Sequence, residues 1–221
     1  IVEPFEPVSN AQLQSPADGD WLNWRRTGDG QAFSPLRTIN TENVSQLSLS
    51  WSVAMHEGSN QGTPLVHNGV MYLTHANNKI QALKADSGEL IWEYQYAFPI
   101  ASRLLGGPTR NIALFEDKLF LATYDAALVA ISATTGEQLW RTVKADYRNA
   151  YTHSAGPIIA NGVVVSGING CELFTPEGCF LTGHHPDTGE ELWRTPILAE
   201  PDSAAYSSWG DIQPDRRGGG D

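Results

Sequence analysis

Apolar residues along this chain fall in short runs separated by Gly, Asn, Asp and Pro, a rhythm that suits many brief strands rather than long helices. In "TPLVHNGVMYLT" two such runs flank Asn68-Gly69, and in "GPIIANGVVVSG" two flank Asn161-Gly162. An Asn-Gly pair between apolar strands is the strongest short-range hairpin signal, because both residues tolerate the positive φ of a tight two-residue turn. "IALFEDKLFLA" repeats the pattern around Glu116-Asp117. Each stretch predicts a hairpin.

A second hairpin follows each of the first. "ALKADSGELIW" (82–92), "AISATTGEQLW" (130–140) and "GHHPDTGEELW" (183–193) align without gaps, with a small residue followed six positions later by Gly and ten later by Trp. Gly88, Gly136 and Gly189 can take the positive φ that a tight turn needs, and the Trp then sits on the returning strand. Two hairpins make a four-stranded unit, and its tryptophans recur after 48 and then 53 residues. Units of that size and period are what a β-propeller requires, since each twisted sheet buries its faces only against its neighbours around an axis. A β-sandwich would also use many strands, but it does not account for the recurring Trp.

The expected organisation is an N-terminal extended segment over 1–45 and a partial propeller over 46–221. Within the latter, blades are expected at about 62–97, 110–146 and 155–197, followed by a loop or strand segment to 221. Trp51, in "QLSLSWSVA", lies on what reads as the Trp strand of a blade, yet no Gly turn precedes it. A closing strand near 47–54 that completes a blade built elsewhere is therefore expected. Closed propellers use about four to eight blades, so the chain is expected to supply roughly the first half of a ring. Its partner would be the C-terminal remainder of the same propeller or a second chain.

The third unit is longer than the others. Gly69 to Trp92 and Asp117 to Trp140 each span 23 residues, whereas Gly162 to Trp193 spans 31. Eight is also the separation of Cys171 and Cys179, the only cysteines, so "CELFTPEG" reads as a loop inserted after "VVVSGING". The pair is compatible with one disulfide in an oxidising compartment or with two free buried thiols. A bridge there would contribute roughly 2 to 4 kcal/mol, mainly by restricting the open chain. Glu172, beside the first cysteine, is either a surface glutamate or a hard oxygen ligand for a Ca²⁺-type ion.

Composition narrows the function classes. A net charge of −11 disfavours binding to phosphate backbones, which needs clustered Lys and Arg, so no nucleic acid is expected. No run approaches the roughly 18 apolar residues of a membrane span. The start at Ile1 fits an exported chain whose signal peptide has been removed, and an internal fragment would read the same; a periplasmic location is the expectation. His184-His185 and His153 invite a metal reading, but adjacent residues on a strand point to opposite faces. "RRGGGD" lacks the flanking strand and Lys-Ser/Thr of a phosphate loop, and no G-x-S-x-G supports a serine nucleophile.

The Gly–Trp units, the opening "DWLNWRRTGDGQAFSPLRTINTENVSQLSLSW", "QGTPLVHNGVMYLT" and "SGINGCE" together resemble the quinoprotein alcohol dehydrogenases. These are eight-bladed propellers that use pyrroloquinoline quinone (PQQ), and the resemblance runs through essentially the whole chain. It implies that Glu172 ligates the metal that also holds PQQ, either Ca²⁺ or a lanthanide ion. It implies further that Asn169, Gly170 and Cys171 line the quinone, that Arg110 pairs with a PQQ carboxylate, and that the Ser154 hydroxyl donates to another. Gln61 stands where a glutamate is often found; an amide there can still donate to a carboxylate. The disulfide would join Cys171 and Cys179.

Two departures from the family pattern stand out. Where many members have adjacent cysteines just before the arginine, this chain has Leu104-Leu105, which predicts an apolar ceiling. The floor tryptophan, the asparagine metal ligand and the aspartate base fall, in the family, beyond Asp221, so no catalytic residue is assigned within this chain. The activity implied is oxidation of a small alcohol to aldehyde or ketone, with the cation polarising the quinone, the cofactor carrying the redox step and electrons leaving to a cytochrome c. The alternative is a non-enzymatic propeller that serves as a protein-binding scaffold in the cell envelope, which would have no use for Glu172 or for a meeting of Arg110 with Ser154.

Overall fold

A computed structural model describes residues 4–99, 108–171, 178–213 and 216–217. Twelve strands among them form three four-stranded antiparallel sheets, each in sequence order. The first holds β1 (Leu65–His67), β2 (Val70–His75), β3 (Lys79–Lys84) and β4 (Leu90–Gln95). The second holds β5 (Ala113–Phe115), β6 (Lys118–Ala122), β7 (Ala127–Ser132) and β8 (Gln138–Val143). The third holds β9 (Ile158–Ala160), β10 (Val163–Ser166), β11 (Phe180–His184) and β12 (Glu191–Pro196).

The turns take the geometry that their residues favour. Asn68 and Gly69 have φ of 46° and 77°, and Asn161 and Gly162 have 49° and 79°, the paired positive values of a type I′ turn. Between the third and fourth strands of each sheet the register shifts by one residue, at Ala82/Leu83, Ala130/Ile131 and Gly183/His184. That bulge places Ala82 opposite Trp92, Ala130 opposite Trp140 and Gly183 opposite Trp193. The small residue of the repeat is thus the cross-strand neighbour that lets the indole lie against its own sheet.

The glycine of the repeat has a second task. Gly136 has a φ of 77°, and a Cβ there would lie 2.7 Å from the ring of Trp92, which belongs to the preceding sheet. The Trp92 indole N–H donates to Ala133 O at 3.1 Å, and Trp140 repeats the contact forward to Pro186 O at 2.8 Å. Trp51 does the same to Ala85 O at 3.1 Å, its ring against Gly88. Each tryptophan therefore fastens its own unit to the glycine turn of the next.

The strand expected near 47–54 is not formed among the described residues. Among the described residues no strand lies beside that segment, whose partners are expected from outside this chain, and Leu49 is 83% exposed; the Trp51 contact to Ala85 is made. In the N-terminal segment a one-turn helix, α1 (Asn10–Gln14), is started by a capping box in which Ser9 and Gln12 satisfy each other's backbone N–H. The same segment straps the first two sheets through backbone bridges from Val8 to Glu116 and from Trp21 to Val66. Beyond β12 the described chain makes only a short 3₁₀ turn, Tyr206–Trp209, and among the described residues no helix is long and apolar enough to cross a membrane.

Candidate functional site

The lead-in segments to β1, β5 and β9 hold Gln61, Arg110 and Ser154, so three consecutive sheets each send one of the predicted residues to the same end of their first strands. Cross-sheet bonds fix those segments against one another. Thr63 N donates to Arg110 O at 3.1 Å, Thr74 Oγ1 to Thr109 O at 3.1 Å, and Gly156 N to the Asn111 side chain at 2.9 Å. Gly156 approaches the Asn111 carbonyl so closely that no Cβ fits between them.

The side chains then meet. Arg110 Nε donates to Gln61 Oε1 at 3.2 Å, and Arg110 Nη1 donates to Ser154 O at 3.2 Å. Asn169 Nδ2 donates to Ser154 Oγ at 3.0 Å. Arg110 and Gln61 are exposed, while Ser154 and Asn169 are half-buried. No carboxylate pairs with Arg110 among the described residues, and its Nη2 carries donors that none of them accepts. The Asn169 Oδ1 atom is buried and has no donor among the described residues. An unneutralised guanidinium beside a hydroxyl suits a carboxylate, and a buried, undonated amide oxygen suits a cation or an N–H donor.

The segment that carries Asn169 is held on two sides. Thr152 and Asn169 exchange backbone bonds of 2.9 and 3.0 Å. Cys171 and Cys179 are joined in a disulfide with their Cα atoms 5.2 Å apart, buried among Tyr151, Ile168 and Phe180. Gly170, with a φ of 89°, passes so near the Ala150 carbonyl that a side chain is excluded. Glu172, Leu104 and Leu105 lie outside the described residues. Among the described residues no three His, Cys, Asp or Glu side chains gather closely enough to hold a metal ion. His184 is buried with Nδ1 on Gly189 O, while His185 Nδ1 accepts from Asp187 N, so the adjacent histidines serve separate turns.

Sequence reasoning missed Lys144. It is buried one residue past β8, and its Nζ contacts Gly167 O at 2.6 Å, directly behind the Asn169 segment. Alignment of the repeats holds the signal: four residues past Trp92 and Trp193 stand Tyr96 and Ile197, and four past Trp140 stands a lysine.

Consecutive four-stranded antiparallel units, each with its own first strand and with a cationic and polar cluster where the lead-ins to those strands meet, define a partial β-propeller with a candidate site at that end. The sequence profile of the PQQ glucose/ethanol/alcohol dehydrogenase β-propeller domain matches residues 21–218. The chain belongs to this family. It is 35% identical over 215 residues to the dehydrogenase subunit of the quinone alcohol dehydrogenase of Gluconobacter oxydans, covering 87% of this chain and 28% of that protein. Among solved structures, the quinohemoprotein alcohol dehydrogenase ADHIIG of Pseudomonas putida HK5 superposes with a TM-score of 0.74 at 33% identity, over 86% of this chain and 29% of that one. A europium-containing methanol dehydrogenase also superposes with a TM-score of 0.74, at 27% identity, over 84% of this chain and 34% of that one. The chain thus spans about three-tenths of the length of these relatives.

Proposed function

We propose that this chain is the cofactor-gripping part of a PQQ- and metal-dependent dehydrogenase that oxidises an alcohol to an aldehyde or ketone. The observation that carries the reading is Arg110, held between the Gln61 amide and the Ser154 carbonyl, with no acid to neutralise it among the described residues. Its family membership and its likeness to named quinone alcohol dehydrogenases support the same conclusion.

The residues divide the work by chemistry. Arg110 offers its remaining N–H donors to one carboxylate of PQQ, and the amide of Gln61 orients the guanidinium without competing for its charge. Ser154 Oγ, which accepts from Asn169, keeps its own proton to donate to a second carboxylate. Gly170 and the Cys171–Cys179 bridge bring the backbone up as a wall. Glu172 is proposed as an oxygen ligand for Ca²⁺ or a lanthanide ion, the latter supported by the likeness to a europium-containing methanol dehydrogenase. Bound PQQ supplies the two-electron oxidation. The base that removes the alcohol proton is proposed to come from outside this chain, the electrons to pass to a cytochrome c, and the protein to work in the periplasm.

The test is titration of the cofactor-free, full-length protein with PQQ, followed by absorbance. Arg110→Met should weaken binding about 10- to 100-fold, the worth of one charge-assisted pair. Glu172→Gln should abolish metal-dependent activity and leave the fold intact. Unchanged PQQ affinity in Arg110→Met would remove Arg110 from the site, and a wild-type protein that takes up no PQQ would favour a scaffold role.

A further inference from the structure

The residue four past each blade tryptophan makes the same backbone bond: Tyr96 N to Asn78 O at 3.3 Å, Lys144 N to Ala126 O at 2.9 Å and Ile197 N to Cys179 O at 2.9 Å. The side chains diverge completely. Lys144 is 4% exposed, and its Nζ lies 2.6 Å from Gly167 O, 3.0 Å from Ser166 O, 3.1 Å from Ser166 Oγ and 3.3 Å from His153 Nε2. Among the described residues no carboxylate pairs with it.

The imidazole is set to receive it. His153 Nδ1 faces Thr123 O at 2.9 Å, and a carbonyl only accepts, so Nδ1 carries the ring proton and Nε2 is left as an acceptor toward Lys144. Burial, then the Lys144 charge, hold the imidazole neutral by lowering its pKa to about 3. Burial also lowers the Lys144 pKa to about 7, with Arg194 on β12 acting in the same direction and Glu191 against it. His184 on β11 faces the same cluster.

One amine therefore ties together two segments that both carry site residues. Ser154 follows His153 directly, and Asn169 stands two residues past Gly167. An apolar side chain such as Ile197 satisfies the same backbone position without burying a charge, and a buried cation lacking a counter-ion is costly. What the lysine adds is donors aimed at backbone carbonyls from beneath the site.

We propose that Lys144 is a positioning residue of the cofactor site: by bonding His153 and the Ser166–Gly167 carbonyls it sets the spacing of Ser154 and Asn169, and through them the affinity for PQQ. This rests on the functional reading above. The test uses full-length protein freed of PQQ, as wild type, Lys144→Met and the milder Ser166→Ala. It reads PQQ affinity by tryptophan fluorescence and amide hydrogen exchange without cofactor. Lys144→Met should weaken PQQ binding at least tenfold and speed exchange at the Thr152 and Asn169 amides at least tenfold, with β5–β8 unchanged. Ser166→Ala should do the same about two- to threefold, and it decides the matter if Lys144→Met does not fold. Wild-type affinity in a folded variant overturns the proposal, and so does faster exchange spread evenly over β5–β8, which marks general loosening. Failure of the wild type to bind PQQ is a different result: it removes the functional reading itself.

Discussion

The second and third blades are built from the same two hairpins and the same Gly–Trp pair, yet they end in opposite environments. Ala127 to Ile131 of β7 are all 0% exposed, and β5 and β6 are buried almost throughout. In the third blade β12 is largely exposed, Trp193 and Leu181 stand 41% and 39% open, and the buried groups include His153, Ser166, Thr182 and His184. Among the described residues the second blade lies between two neighbouring sheets and the third beside one, so their difference in exposure follows from the neighbours each has among those residues. The third blade differs in kind by its disulfide and by the lysine that reaches it from the second blade, and both lie close to the candidate site.

Removal of an inter-blade tryptophan should break this contrast most strongly. Trp92→Ala, which vacates a buried ring against Gly136, should cost about 3–5 kcal/mol in urea unfolding; a loss below about 1 kcal/mol would deny that the indole fastens one blade to the next. Cys171→Ser with Cys179→Ser should cost about 2–4 kcal/mol, with exchange quickening in β9–β12 before β5–β8.

A smaller effect follows from protonation. The folded pKa of Lys144, about 7, lies below its ordinary 10.5, so between those values the unfolded chain binds the extra proton. Stability from this group therefore rises with pH from about 7 to 10.5, with a slope of at most one proton, about 1.4 kcal/mol per pH unit. His153, at about 3 against 6.5, adds a rise with pH over that lower range. Lys144→Met should abolish the upper rise and keep the lower, as read from urea midpoints against pH. The least effect is expected at the exposed pair of Lys84 and Glu89 at the first blade's turn, 2.7 Å apart; Lys84→Ala should leave the urea midpoint unchanged.

Local chemistry made most of the blades legible. Asn68-Gly69 and Asn161-Gly162 state their turns outright, and the small–Gly–Trp spacing encodes both a cross-strand pair and an inter-blade contact. The meeting of Gln61, Arg110, Ser154 and Asn169 was legible only through family resemblance, because nothing local ties together residues so far apart in sequence. α1 is signalled only by the capping pair Ser9 and Gln12, since five residues carry no helical period. Lys144 has no local signature: a lysine after a strand reads as solvated, and only the backbone it reaches from the third blade makes it a buried strut. The segment near 47–54 reads as a strand from its pattern, but a strand also needs a neighbour, and none lies beside it among the described residues.

The tryptophan contact points one way along the chain, since the Trp51, Trp92 and Trp140 indoles each reach forward to the turn of the following unit. During synthesis a blade can therefore seat its indole only after its successor has emerged, so locking trails the ribosome by one unit. The indole bond repeats at three seams among the described residues, so this part of the inter-blade coupling is carried by a recurring local pair and the rest by contacts particular to each seam.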